Sequence, residues 1–319
     1  MIRYLTEDDV KQLLTMKDTV ALVEEALKAR TEGRAIDVPR VRAHAPQGTL
    51  HVLEAVAYDL NRIGYKAYYS SSTGTRFHIH LYDLAKGPLE AMVEGNHLGI
   101  MRTGAASGVA TRYLAREDAS IVACVGAGRQ AVGQIEAVCE VKKIREVRVW
   151  SRQLERAQEF CDQLSGRLKV DMRPIASAAE AVKGAHVINV MTKASEPVLL
   201  GAWLEPGQHI NAAGSNSLTR RELDLAAVKR CAYITVDSRG TARKECGDLL
   251  PAVEQGLCDW DTLTEIGEVI AGRAPRRASR DQITLYESHG MGIQDLYVAH
   301  HLVEMAMKRK VGAELPVGS

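Results

Sequence analysis

The sequence predicts an α/β protein built around a doubly wound parallel sheet, on three observations. From Ser120 onward, strand-like runs (SIVACVG, EVRVW, KVDMRPI, HVINVM, HINAAG, YITVD) alternate with helical segments at Ala131–Glu140, Leu154–Leu164, Ala178–Val182 and Arg221–Val228. That alternation is the pattern of right-handed β-α-β crossovers. The first of these strands runs into a glycine-rich turn and directly into a helix. At about 150 residues per domain, 319 residues leave room for a second domain.

The second domain is read from the N-terminal third. Thr6 with Asp9 three residues later has the form of an N-cap with an acidic N3 residue, and Val10, Leu13 and Leu14 then recur at helical spacing. A second amphipathic helix is expected over Asp18–Arg30. From Val38 to about Glu94 the pattern changes to β-rich runs (VPRVRAH, LHVLEAVA, YKAYYSS, RFHIHLYD) with turns at Gln47-Gly48 and Thr73-Gly74. These imply helices packed on a largely antiparallel sheet. The block MRTGAASGVATRYLA, Met101 to Ala115, is rich in small residues, which suits a helix lying close against neighbours or beside a ligand. With no internal repeat, low-complexity tract or Pro-rich linker, no flexible tether between domains is expected.

Composition narrows the function classes. Hydrophobic residues make up 46% and charged residues 25%, excluding a mainly disordered or collagen-like chain. Forty-one Lys and Arg against forty Asp and Glu leave a net charge of +1, so no diffuse basic field points to nucleic acid or an anionic membrane. A small, locally recognised ligand is expected. Six cysteines form no Cys-x-x-Cys pair and are read as buried, reduced thiols, without a zinc or thiol-redox site. Acidic residues come too early for a signal-peptide core, and no stretch approaches the roughly 18 apolar residues of a membrane span, so a cytoplasmic protein is expected.

In IVACVGAGRQAVGQIEAV an apolar strand ends at Gly126-Ala127-Gly128, and after Arg129 and Gln130 a helix is entered at Ala131. Gly126 permits the tight turn, Gly128 lets backbone approach a pyrophosphate, and Ala131 permits close helix–strand packing. The helix N-terminus offers unpaired N–H groups to the phosphates. An ordinary Gly-rich turn is the competing reading; the strand before, the helix after and the next strand at the right distance favour a dinucleotide. At the end of that next strand, where an acid would hold the ribose diol of NAD, stand Ser151 and Arg152. Ser can donate to a 2′-phosphate and Arg can pair with it, so NADP(H) is preferred and NAD(H) remains possible. Thr103, in the small-residue block, and Thr192, after HVINVM, join the cofactor-binding candidates.

Together MRTGAASGVATRYLA, INAAGSNSLTRRELD (Ile210 to Asp224), ECGDL (Glu245 to Leu249) and GMGIQDL resemble the ornithine cyclodeaminase/mu-crystallin family over nearly the whole chain. The resemblance implies a homodimer. It also implies that a Rossmann-type domain, 116–290, is inserted in a discontinuous α+β substrate and dimerisation domain, 1–115 plus 291–319, with a C-terminal helix from about Gly292 returning to the first domain. The implied chemistry is hydride transfer between the nicotinamide C4 and the α-carbon of an amino or imino acid.

By family position the substrate carboxylate falls to Arg40, Lys66 and Arg102, with Arg42 on the same strand as a possible substitute for Arg40. Arg grips a carboxylate with two parallel hydrogen bonds, whereas Lys is a point charge and, when desolvated, a proton donor. The chain departs from the ornithine cyclodeaminases at Asn216, where they carry an Asp, and at His51, about where they place a Glu. An amide cannot act as a general base. An α-imino acid reductase, of Δ1-pyrroline- or Δ1-piperideine-2-carboxylate or a linear ketimine, needs neither acid, and its candidate proton donors are Lys66, then His51, then water. The alternatives are a cyclodeaminating lyase using catalytic NAD, an alanine dehydrogenase-like enzyme, and a nucleotide-binding protein like mu-crystallin. Asp295 in GMGIQDL either braces the returning helix or faces the substrate. His78 and His80 share a strand face without a third ligand, adjacent His300 and His301 diverge on a helix, and Ser107 and Ser195 lack a nucleophile elbow, so no metal or nucleophile is assigned.

Overall fold

The computed structural model describes residues 1–316; 317–319, the end of the span expected for the substrate domain, lie outside the described residues. The chain divides into two compact units, Met1–Arg102 with the chain from Gly290 onward, and Thr103–His289. The N-terminal part of the first unit comprises β1 (Ile2–Leu5), α1 (Glu7–Leu13), α2 (Met16–Thr31), β2 (Ala35–Ala45), β3 (Gly48–Ala57), β4 (Arg62–Ser71), β5 (Gly74–Asp83) and β6 (Leu89–Glu94), and the first boundary falls inside α3 (Asn96–Leu114). Thr6 caps α1 in a reciprocal box with Asp9, and Thr15 caps α2 by accepting from the Asp18 amide.

The second unit adds β7 (Ile121–Val125), α4 (Arg129–Val141), β8 (Glu146–Trp150), α5 (Leu154–Leu168), β9 (Asp171–Pro174), α6 (Ala178–Val182), β10 (Val187–Val190), β11 (His209–Ala212), α7 (Leu225–Arg230), β12 (Tyr233–Val236), α8 (Arg239–Glu245), α9 (Leu250–Glu254), β13 (Thr264–Glu265), α10 (Ile266–Ile270) and β14 (Thr284–Glu287). Its eight strands run in the order β13-β12-β14-β11-β10-β7-β8-β9, every pairing parallel. Apolar side chains cover both faces, as a buried parallel sheet requires. Strand order reverses between β7 and β10, which creates a crevice at the strands' carboxyl ends. The small-residue block has a steric cause. A Cβ at Gly104 would lie 2.1 Å from the Gly133 carbonyl oxygen and one at Gly108 2.9 Å from Ala137 Cβ, so α3 and α4 approach to near backbone contact.

The unit departs from the sequence reading at α7 and β14, and α8, α9, β13 and α10 are additions to it. Helix α7 begins at Leu225 rather than Arg221, because the Glu222 and Leu223 amides donate to the Asp248 carboxylate and Leu223 bridges Leu199 in an extended conformation. Strand β14, short and unforeseen, lies between β11 and β12.

After the second unit the chain returns with α11 (Gly292–Arg309) and β15 (Ala313–Leu315). The first sheet has the order β15-β1-β6-β5-β4-β3-β2, antiparallel apart from the β1/β6 pair. Register sorts its two faces. Leu53 stands opposite Lys66, which stands opposite Ile79, and His51 opposite Tyr68, so these side chains share the face on which α11 packs. The neighbouring positions Leu50, Val52 and Val56 pair with Tyr69, Val41, Ile36 and Ile63 on the other face. Ile293, Leu296 and Val303 are buried as the helical spacing predicts.

Candidate active site

Lys66 sits mid-strand in β4 beneath α11 and is 3% exposed. Its Nζ lies 2.8 and 2.7 Å from the two carboxylate oxygens of Asp295. Asp295 Oδ1 also accepts from Arg102 Nε at 3.0 Å, while Arg102 Nη1 donates to Gln294 Oε1 at 3.1 Å. One buried carboxylate is therefore shared by two cations. Burial, reinforced by the Arg102 charge and opposed by Asp295, lowers the Lys66 ammonium to about 7. Lysine so placed gives up its proton near neutrality. Arg40, buried on β2, adds a third positive charge felt at Lys66.

The helix carrying Asp295 and Gln294 is fixed from a distant strand. Met291 at its N-cap offers no side-chain acceptor, and Asp37 of β2 instead accepts the Ile293 amide at 2.9 Å. Asp37 and Gln294 escaped the sequence reading; their roles depend on β2 and α11 meeting, which no local pattern displays. Asp295 is now placed: it holds Lys66 and Arg102.

His51 shares the Lys66 face, stacked on Tyr68 with ring centroids 4.4 Å apart and its Nε2 3.0 Å from Ser70 Oγ. Burial first, then the charges of Arg40, Arg42 and His44, lower it to about 4. Its imidazole is neutral at pH 7. The positive charges of Arg40 and Arg42 favour the neutral ring over the protonated one.

In the second unit the Gly126 turn closes as its chemistry predicts. Gly126 has φ +115°, and a Cβ there would lie 2.5 Å from the Met191 carbonyl oxygen and 3.0 Å from Thr192 Cγ2. Gly128, the N-cap of α4, has nothing within 4 Å of its would-be Cβ. Ala127 is half-buried, Arg129 and Gln130 open the helix and Ala131 is fully buried against the sheet. A backbone free of side chains at a helix N-terminus fits a pyrophosphate. Ser151 and exposed Arg152 follow β8 directly. Thr103 contributes its carbonyl to Gln134 Nε2 at 3.1 Å, and Thr192 lies just past β10. Asn216 follows β11, its carbonyl oxygen accepting from Arg220 at 3.1 Å.

Among the described residues one group, Cys246, Glu287 and His289, brings three metal-type ligands within 4.8 Å of one another. His289 of this group lies 3.6 Å from Asp237, outside it. His78 and His80 lie on the sheet face away from Lys66, and His80 stacks on Tyr65.

The family model described as the ornithine cyclodeaminase/mu-crystallin family matches residues 3–310. The chain is similar to a Δ1-pyrroline-2-carboxylate reductase of Bacillus cereus, 32% identical over 98% of each chain. It is 39% identical to the ketimine reductase mu-crystallin of Rattus norvegicus over 69% of this chain and 66% of that one. The solved Δ1-pyrroline-2-carboxylate reductase of Thermococcus litoralis, in complex with NADH and L-proline, superposes with a TM-score of 0.94 at 31% identity, covering 98% of this chain and 100% of that one.

The shared carboxylate generates a stability prediction. Asp295→Asn leaves the buried Arg102 charge without its counter-ion and drives Lys66 to its neutral form, and is expected to cost about 3–5 kcal/mol in urea unfolding at neutral pH; an unchanged midpoint would contradict the arrangement.

Proposed function

The chain belongs to the ornithine cyclodeaminase/mu-crystallin family, and we propose that it is an NAD(P)H-dependent reductase of α-imino acids, giving L-amino acids by hydride transfer to the α-carbon. The observation that carries this reading is the Lys66 ammonium, buried between Asp295 and Arg102 and brought to about 7. When bound, a reduced nicotinamide supplies the hydride. The Gly126–Gly128 backbone and the N-terminus of α4 bind its pyrophosphate.

The remaining work belongs to side chains of the first unit. Arg102 and Arg40 hold the substrate carboxylate, Arg102 being aimed by Asp295 and Gln294. Lys66 holds a proton at Nζ for the imine nitrogen, which accepts hydride more readily when positive. Asp295 keeps that proton from being lost earlier, since its charge favours the ammonium. The absence of an acid supports reduction over cyclodeamination: Asn216 is an amide and His51 is neutral, so neither matches a pocket for a cationic side-chain amine.

NADPH is the preferred form, because Ser151 and Arg152 occupy the place of the acid that would repel a 2′-phosphate. The second face of the first sheet supports a homodimer. Ile36, Val41, Leu50, Ile63 and Tyr69 all point from it and are 39–54% exposed, an apolar area of the kind a second copy covers. The six free cysteines fit a reducing cytoplasm, and no helix among the described residues is long and apolar enough to cross a membrane.

Steady-state assays with Δ1-pyrroline-2-carboxylate, Δ1-piperideine-2-carboxylate, and pyruvate plus amines should show NADPH oxidation with at least one. Oxidation with none, or ammonia and proline from ornithine without net cofactor turnover, would overturn the reading. Because Lys66 must be protonated to act, kcat/KM should fall as pH rises through about 7, and Lys66→Met should lower kcat by about 10²–10⁴ and remove that limb. Arg152→Ala should raise KM for NADPH about tenfold and leave NADH little changed; an equal effect on both would remove the argument for a 2′-phosphate contact.

A further inference from the structure

The blocks RREL and ECGDL have no part in the chemistry above, yet they converge on the crevice of the second unit. Glu222 is fully buried. Its Oε1 accepts from the Thr192 amide at 2.5 Å and the Thr192 hydroxyl at 2.6 Å, and its Oε2 accepts from the Gly214 amide at 2.9 Å. Thr192 follows β10 and Gly214 follows β11, so a single carboxylate joins two loops at the sheet's carboxyl edge. Thr192 Cγ2 and the Met191 carbonyl are the atoms a Cβ at Gly126 would strike, so the segment Glu222 holds is the wall against which the Gly126 turn packs.

A second layer holds Glu222 itself. Asp248 Oδ1 accepts from the Glu222 amide at 2.5 Å and the Leu223 amide at 2.8 Å. Two glycines permit the approach. A Cβ at Gly214 would lie 2.3 Å from Glu222 Oε2, and one at Gly247 would lie 1.9 Å from the Arg220 carbonyl. Holding Glu222 there is costly: burial raises its carboxyl to about 7, with Asp248 adding to the effect. The hydrogen bonds from Thr192 and Gly214 offset only part of that cost, and such a residual cost fits a group kept for position.

We propose that Glu222 is a positioning residue of the dinucleotide site, clamping the loops after β10 and β11 through Thr192 and Gly214 and so setting the wall behind the Gly126 turn, with Asp248 as its support. The proposal rests on the dinucleotide reading of that turn. A Gln at 222 keeps the volume but replaces one acceptor oxygen with a donor, which opposes the amide it faces.

The test is Kd for NADPH and NADH by nucleotide fluorescence, with KM for the imino acid at saturating nucleotide, in wild type, Glu222→Gln, Asp248→Asn and Thr192→Val. Glu222→Gln should raise nucleotide Kd about tenfold with imino-acid KM within about twofold of wild type. Asp248→Asn should shift Kd the same way by less, and Thr192→Val, the mildest change, by about threefold. An unchanged Kd in Glu222→Gln and Thr192→Val would overturn the proposal. So would equal rises in both constants alongside a lower Tm, which would make the role merely structural. A wild type that binds neither nucleotide would instead overturn the dinucleotide reading, and the proposal with it.

Discussion

A carboxylate buried between two cations governs the first unit. Asp295 reaches Lys66 on β4 and Arg102 on α3 from the first turn of α11, positions separated by 229 and 193 residues in the chain. Such a triad is favourable only when its geometry is held, because each charge has forfeited its hydration. The rest of the unit supplies that geometry. Asp37 ties down the amide end of α11, Gln294 takes a further Arg102 donor, and the C-terminal strand β15 pairs with β1 at the far edge of the sheet. The chain must return from the second unit because the counter-ion for Lys66 lies in its last helix.

The same burial that demands this bracing produces the chemistry. An exposed lysine would stay charged well above neutrality and bind a carboxylate as a point charge. Desolvation and the Arg102 charge bring Lys66 to about 7, while Asp295 keeps it from falling further. A group poised in this way can bind an anion and release a proton at one pH. The sheet divides the labour by its alternation: one face carries Lys66 and His51 and packs against α11, while the other exposes a row of apolar side chains.

How far the sequence disclosed this depended on how local each cause is. The Gly126-Ala127-Gly128 turn was legible because the steric demand at φ +115° and the following helix lie within a few residues. Thr6 with Asp9, and the apolar spacing of α11, were legible for the same reason. The small residues of α3 signalled close packing without naming the partner, which is the backbone of α4 at Gly133. Helix α7 was begun too early because Asp248, 26 residues from Glu222, pulls that stretch into an extended form. The short central strand β14 is defined by parallel neighbours from distant sequence. The ionisation of His51 depends on arginines brought near it by strand pairing, which its residue type alone does not disclose.

In the proposed reaction hydride passes from a nicotinamide to the α-carbon of an imino acid while a residue of the protein provides the proton. Single-turnover reaction with NADPH carrying deuterium at both positions of the nicotinamide C4, in ordinary water with Δ1-pyrroline-2-carboxylate, and with Δ1-piperideine-2-carboxylate in parallel, followed by mass spectrometry of the product, tests this transfer. The expected product is an L-amino acid carrying one deuterium at its α-carbon. A product without deuterium at that carbon, or no product from either imine, would contradict it.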